Sequence, residues 1–416
     1  MKQAAILIAL ALAAPCCAQT WQVFDTTTAG FPSNSVTGIA FDSQGGTWVA
    51  TDWGLCHYDG SIWETFQTTN SGLTDNVIQS LAVDTLDRVW IGTLLHGVVI
   101  YDGSTWTTYD QLNSGLPDDQ IKSITIDHRN WACIGTYLGL ACFTGTEWRL
   151  YNDTPSSYSG LQLNGPVIND VDVRADGLVM VGTLNGGFHY LTDTSVVVHA
   201  TFIDLFPDNT QVGVAFDTVH DERWIACPAQ GLLRQGGSWE NGPWFQYSTT
   251  TSTIPTNSLT CLAMDPSGRP WMGTTYAGVM VRNNDGTFSN YTSTNSGLPD
   301  NTISRVDFAP DGSLWVGTYY GGAARFGSGS VVNETTAGNA LTAYPVPAGE
   351  VVNVKWQGTH AAGIWRATDL AGRFFDQGEL PSGSLVTIAV EDWPPGTYFI
   401  GFTAGSVHQA IRIQVQ

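Results

Sequence analysis

The stretch Asn295 to Gly322, NSGLPDNTISRVDFAPDGSLWVGTYYGG, decides the fold. It reads as a loop, an apolar strand, an Asp-Gly turn, a second strand carrying Trp315, and a glycine turn into a third strand. The same order recurs six more times. Aligned on the end of the second strand, the units fall at Thr51, Thr93, Thr136, Thr183, Cys227, Thr274 and Thr318, spaced by 42 to 47 residues. That is the period of propeller blades. Three residues earlier stand Trp48, Trp90, Trp224, Trp271 and Trp315, with Cys133 and Met180 in the other two units. A large apolar group at one place in every unit is what packing of blade on blade requires.

The first strands are read as Val36 to Phe41, Ile78 to Val83, Ile121 to Ile126, Ile168 to Val173, Gln211 to Phe216, Leu259 to Met264 and Ile303 to Phe308. One face carries bulky pairs such as Ile39 with Phe41. The other carries small or polar residues such as Gly38, Ser80, Ser123 and Gly213. A period of two marks strands, and a bulky face suits a neighbour's small face. Fourth strands are expected around Trp63, Trp106, Trp148, Val197, Trp244 and Phe288. The seventh unit instead runs out into Gly327, Ser328 and Gly329. Trp21 to Phe24 (WQVF) resembles Ile62 to Phe66 (IWETF), so the N-terminal strand is expected to complete the last blade and remove its open edge. The expected fold is all-β: a seven-bladed β-propeller over 19–329, closed by that strand, then a linker at 330–339 and a small C-terminal Ig-like β-sandwich at 340–416.

Composition agrees with short strands and tight turns, with 46 Gly and 16 Trp against only 16 Lys and Arg. A formal charge of -21 repels phosphate backbones and anionic membrane surfaces, which argues against nucleic acid as a partner. Lys2, the apolar run Ala4 to Ala14, and Pro15-Cys16-Cys17-Ala18 read as a secretory signal at 1–18, cleaved after Ala18. The competing reading is a lipoprotein acylated at Cys16 or Cys17. No segment approaches the apolar length of a transmembrane helix. Loss of the leader leaves Cys56, Cys133, Cys142, Cys227 and Cys261. Of these, Cys133 and Cys142 sit on adjacent strands of one unit, where a disulfide would form if they face each other.

The recurring NSGLPDN-like loop, Asp-x-x-Gly, Trp-Val/Ile-Gly-Thr and Gly-Gly pattern over Trp21 to Gly329 resembles the two-component regulator propeller repeat. The resemblance implies an extracytoplasmic propeller associated with sensing oligosaccharides, although this chain shows no kinase. The tail is similar to the C-terminal sorting domain of type IX secretion in Bacteroidetes. It carries Tyr344-Pro345-Val346-Pro347, Asp369 to Gly372 and Gly396-Thr397-Tyr398, with Val346 in place of the usual asparagine. That resemblance implies passage across the outer membrane by the type IX machinery, then release or surface attachment. An ordinary sandwich with a ligand of its own is the alternative.

In a propeller the turns from second to third strands gather with the blade-to-blade loops at one mouth of the channel. They hold Asp52 and Trp53, Leu95 and His96, Tyr137, Asn185, Gln230, Tyr276, and Tyr319 with Tyr320. Aromatic faces beside polar groups stack on sugar rings and bind hydroxyls, so Asp52, Trp53, His96, Tyr137, Asn185, Gln230, Tyr276, Tyr319 and Tyr320 are the candidate ligand-binding residues. Packing on the next blade is the competing role for such aromatics. His57 and His189 occupy equivalent third-strand positions, while His128 and His220 lie in first-to-second turns, so no zinc-ligand spacing emerges. The carboxylates of the turns Asp42 to Gly45, Asp265 to Gly268 and Asp311-Gly312 satisfy ordinary turn geometry, and no acidic run with calcium-ligand spacing is present. No cofactor and no metal site are expected. The sequence points to a non-catalytic module binding glycan or protein outside the cell. The alternatives are a lyase or glycosidase using Asp52, Asp170 and His96 at the mouth, and a purely structural surface role.

Overall fold

The computed structural model describes residues 20–151, 163, 165, 167–192, 196–199, 207–237, 242–327, 341–344, 351–356, 362–369, 374–381, 385–394, 396–404 and 407–415. The leader at 1–18, the linker at 330–339 and the Pro345 to Pro347 motif lie outside them. Two compact units divide the chain, Met1–Ser328 and Gly329–Gln416. No helix occurs among the described residues, and none is long and apolar enough to cross a membrane.

In the first unit the described strands pair into seven antiparallel sheets of four strands resembling propeller blades. Sheet 1 runs Val36–Phe41, Thr47–Thr51, Gly54–Tyr58 and Trp63–Phe66 in spatial as well as chain order. Sheets 2 to 6 repeat that order from first strands Ile78–Val83, Ile121–Ile126, Ile168–Val173, Gly213–Asp217 and Leu259–Met264. Sheet 7 takes Ile303–Phe308, Leu314–Thr318 and Ala323–Gly327, and its fourth strand is Thr20–Phe24 from the far end of the chain. The register Trp21↔Phe326 and Phe24↔Ala323 is the pairing expected from the WQVF and WETF likeness.

Each first strand packs beside the first strand of the next sheet, and that of sheet 7 beside that of sheet 1. Seven apolar clusters lie between successive sheets, one to each neighbouring pair. The cluster joining the last sheet to the first holds Phe24, Trp315 and Ala323 against Val36, Ile39, Val49 and Cys56. The Trp-Val/Ile-Gly-Thr signature has a packing cause here. A Cβ on Gly92 would lie 2.5 Å from Cγ2 of Ile121, and one on Gly317 2.6 Å from Cγ1 of Val36. The glycine admits the neighbouring sheet's branched side chain, so close packing selects it rather than an unusual φ.

One first strand departs from expectation. In sheet 5 it is Gly213–Asp217, not Gln211 to Phe216. Gln211 is buried and turns its amide to backbone: Oε1 accepts the Thr183 amide at 3.2 Å, and Nε2 donates to the Asp208 carbonyl at 2.8 Å. Cys133 and Cys142 are directly opposed across their hairpin and joined as a disulfide, whereas Cys56, Cys227 and Cys261 are buried thiols.

The second unit contains, among the described residues, a three-stranded sheet ordered Leu341–Tyr344, Val351–Trp356, Leu385–Ala389. Its four-stranded sheet is ordered Phe374–Pro381, Ala362–Asp369, Gly396–Ala404, Val407–Val415. Val352, Val354 and Ile388 share one core with Trp365, Ala367, Tyr398 and Ile400. In the strand Phe374–Pro381 (FFDQGELP) glycine, proline and charges interrupt the apolar alternation.

Candidate functional site

The strand-end threonines build one face. Thr51, Thr93, Thr136, Thr183, Thr274 and Thr318 are fully buried, and each hydroxyl donates to the carbonyl of the glycine closing the next turn at 2.7 to 2.8 Å. The same oxygen accepts an amide inside the turn, such as that of Trp53, His96 or Gly321. One hydroxyl thus fixes both sides of the turn, and residues between are held outward on a rigid base.

These turns are also tied to the loops that lead into the first strands. Asp52 N donates to Ser35 O, Leu94 N to Val77 O and Tyr319 N to Thr302 O. Further bonds cross to the next sheet: Gly97 N to Asp119 O, Gly278 N to Asn301 O, and Gly322 N to Asn34 O at 3.0 Å, from sheet 7 back to sheet 1. Gly322 has φ 79°, which a side chain would strain. The turns and loops form a hydrogen-bonded collar at one end of the sheets.

Apolar surface is concentrated on that collar. Among the described residues of the first unit twelve large hydrophobic ones are exposed, and seven lie in these turns: Trp53, Leu95, Leu138, Leu184, Tyr276, Tyr319 and Tyr320. Trp53 is 56% exposed, Tyr276 79% and Tyr320 72%. Among the candidate ligand residues, Asp52, Trp53, His96, Asn185, Tyr276, Tyr319 and Tyr320 are exposed, while Tyr137 and Gln230 are half-buried. The rings of Tyr319 and Tyr320 lie 6.4 Å apart in one turn. Lys122 places its ammonium 5.0 Å from the Tyr137 ring. Asn185 holds φ 63° and accepts from Thr210 Oγ1, and the Gln230 carbonyl accepts from Gln246 Nε2. The nine residues occupy seven turns, and only the Tyr319–Tyr320 pair shares one apart from neighbouring Asp52 and Trp53.

Of the three residues considered for catalysis, Asp52 and His96 stand in second-to-third-strand turns and Asp170 on a first strand. His96 Nδ1 lies 3.3 Å from Asp75 Oδ2, a carboxylate that the sequence reading missed. Asp170 is half-buried in the first strand of sheet 4, where Oδ2 accepts the Val214 amide at 2.9 Å. The turn carboxylates have structural partners. Asp265 accepts the amides of Ser267 and Arg269, the Arg269 guanidinium at 2.7 Å and the Trp271 indole at 3.1 Å. Asp42 does likewise with Gly46, Trp48 and His57.

A second feature lies on the inner strands. The seven residues at one register position are Gly38, Ser80, Ser123, Asp170, Gly213, Cys261 and Arg305, each opposite the residue just before a strand end. Arg305 spans the seam between last and first sheets: Nε donates to Thr37 O at 2.7 Å and Nη2 to Gln79 O at 3.2 Å. Burial pushes Asp170 up to about 7 and Asp307 up to about 6, against the lowering influence of Arg305. The signal for Arg305 was a cation at a position otherwise small or polar.

The two component regulator propeller family profile matches residues 30–53. No curated protein sequence matches the chain. Among solved structures, the extracellular domain of the putative hybrid two component system BT3049 from B. thetaiotaomicron is similar at 16% identity and TM-score 0.63, over 95% of this chain and 57% of that one. PorZ, a surface component of the type-IX secretion system of Porphyromonas gingivalis, is similar at 16% identity and TM-score 0.57, over 94% of this chain and 61% of that one. Virginiamycin B lyase from Staphylococcus aureus is similar at 11% identity and TM-score 0.57, over 74% of this chain and 98% of that one. This chain therefore spans about three fifths of the first two structures. At such identities the likeness is one of propeller fold, and it agrees with the repeat read from the sequence.

Proposed function

We propose that this chain is an exported seven-bladed propeller, closed by its first mature strand, that works without catalysis as a binding module for glycan or protein. The seven clusters between successive sheets and the Trp21 to Phe24 pairing support the closed ring. In this reading 1–18 is a cleaved leader, 330–339 a linker and 340–416 an Ig-like sorting sandwich addressed to the type IX machinery. The product is secreted or held at the outer surface. The observation carrying the binding role is the concentration of exposed aromatic and apolar side chains on one hydrogen-bonded collar, since unpaired apolar patches on rigid loops mark interaction sites. Ring faces at Trp53, Tyr276 and Tyr320, with Asp52 next to Trp53 and Asn185 in the turn of sheet 4, offer stacking with hydroxyl recognition.

The test is a glycan array and protein-capture screen on the intact chain, beside a Trp53→Ala/Tyr276→Ala/Tyr320→Ala variant. Binding that disappears in the variant with melting unchanged supports the reading. Equal binding by both removes the collar as the site. The His96–Asp75 pair on the same face motivates a lyase reading. Turnover abolished by His96→Ala would favour it.

A further inference from the structure

The inner strands line a partly open cavity of about 140 Å³ that includes Ser123, Asp170, Cys261, Arg305 and Asp307. The arrangement is charged and specific rather than generically polar. Arg305 is committed to two backbone carbonyls of sheets 1 and 2. Asp170 accepts the Val214 amide on Oδ2 and its carboxylate also meets the Val171 amide, while Asp307 spends Oδ1 on the Phe308 amide at 2.8 Å, which leaves Asp307 a second oxygen toward the cavity. Ser123 is 5% exposed, and its Oγ has no hydrogen-bond partner among the described residues although it lines the cavity. With both carboxylates ionised, one guanidinium balances only one of them. Asp172, two residues from Asp170 and half-buried, adds to the negative field.

An uncompensated charge on the wall of a narrow cavity is costly, and an orphaned hydroxyl adds to the cost. A monocation carrying several N–H donors relieves both. A divalent ion would face the fixed guanidinium and only two lining carboxylates, a poor set for a hard cation. We propose that the axial cavity is a binding site for a small primary ammonium compound, whose N–H groups donate to Asp170, Asp307 and the Ser123 hydroxyl. Room for about four or five water-sized groups limits the ligand to an ammonium head and a short tail. This site is separate from the collar and does not depend on what the collar binds.

The experiment is calorimetric titration and thermal melting of the full chain above neutral pH with methylammonium chloride, against equal tetramethylammonium chloride. The expected result is a saturable heat and a raised melting temperature with methylammonium only. Asp170→Asn keeps the Val214 contact through its amide oxygen, melts no lower than the parent and loses the response. Ser123→Ala weakens affinity by about 3- to 10-fold, the worth of one hydrogen bond. Should Asp170→Asn misfold, Asp307→Asn takes its place. Equal responses to the two salts, no response to methylammonium, or a response unaltered in the variants overturns the proposal.

Discussion

Replacing Phe24 by alanine tests the seam between the two ends of the ring. Phe24 is 7% exposed and belongs to the strand paired with Ala323–Gly327. Its ring stacks 5.3 Å from Trp315 of sheet 7 and lies 5.2 Å from Trp63 and 6.1 Å from Tyr58 of sheet 1. The side chain therefore touches both sheets that meet at the seam. Truncating a buried phenylalanine costs about 4 kcal/mol through lost transfer energy and an unfilled cavity. With about 2.1 cal/mol/K of unfolding entropy per residue over roughly 300 residues, that lowers the melting midpoint by about 6 °C. Differential scanning calorimetry of the intact chain reads this directly, and hydrogen exchange at Ala323–Gly327 should accelerate with it. If the strand were a frayed terminus, the change would stay within about 1 °C, and the closure argument would fail.

Other perturbations follow from single contacts. Thr318→Val removes a buried hydroxyl that donates to Gly322 O and accepts Gly321 N, so it should destabilise by about 2 to 3 kcal/mol, seen as a lower denaturant midpoint. Asp170 holds its proton in the native state up to about 7, from an ordinary value of 3.8, because burial disfavours the carboxylate. The native state then binds more protons than the unfolded chain between these values, so stability falls as pH rises through the window, by about 4 kcal/mol in all. Asp307 acts in the same direction up to about 6. Asp170→Asn should therefore flatten the melting profile, matching the parent near the acid end and exceeding it at about pH 8.

The repeat made the sheets legible because its determinants are local. Gly92 and Gly317, the strand-end threonines and the turn aspartates each serve a contact that recurs in most units, so one alignment exposes them. Trp21 to Phe24 was placed correctly because its pattern matched Ile62 to Phe66 and a sheet lacked its outer strand. The turns of the collar were legible because turns are defined by their neighbours in sequence. Contacts made across the axis were not. Arg305 reaches residues 268 and 226 positions away, and its role exists only once the first and last sheets meet. The alternative site at the mouth names Asp52, Asp170 and His96, whereas His96 meets Asp75, brought close by the collar's own bonding. Strand Phe374–Pro381 escaped for another reason: it pairs with Ala362–Asp369 through its backbone, and its sequence lacks a clean apolar face.

Hydroxyl-radical footprinting of the intact chain, with and without the strongest ligand from the screen, tests the collar most directly. The expected result is protection of Trp53, Tyr276, Tyr319 and Tyr320, with Leu86 and Val219, in turns between first and second strands, as reactive as before. Protection confined to Leu86 and Val219, or an unchanged pattern under saturating ligand, would contradict it.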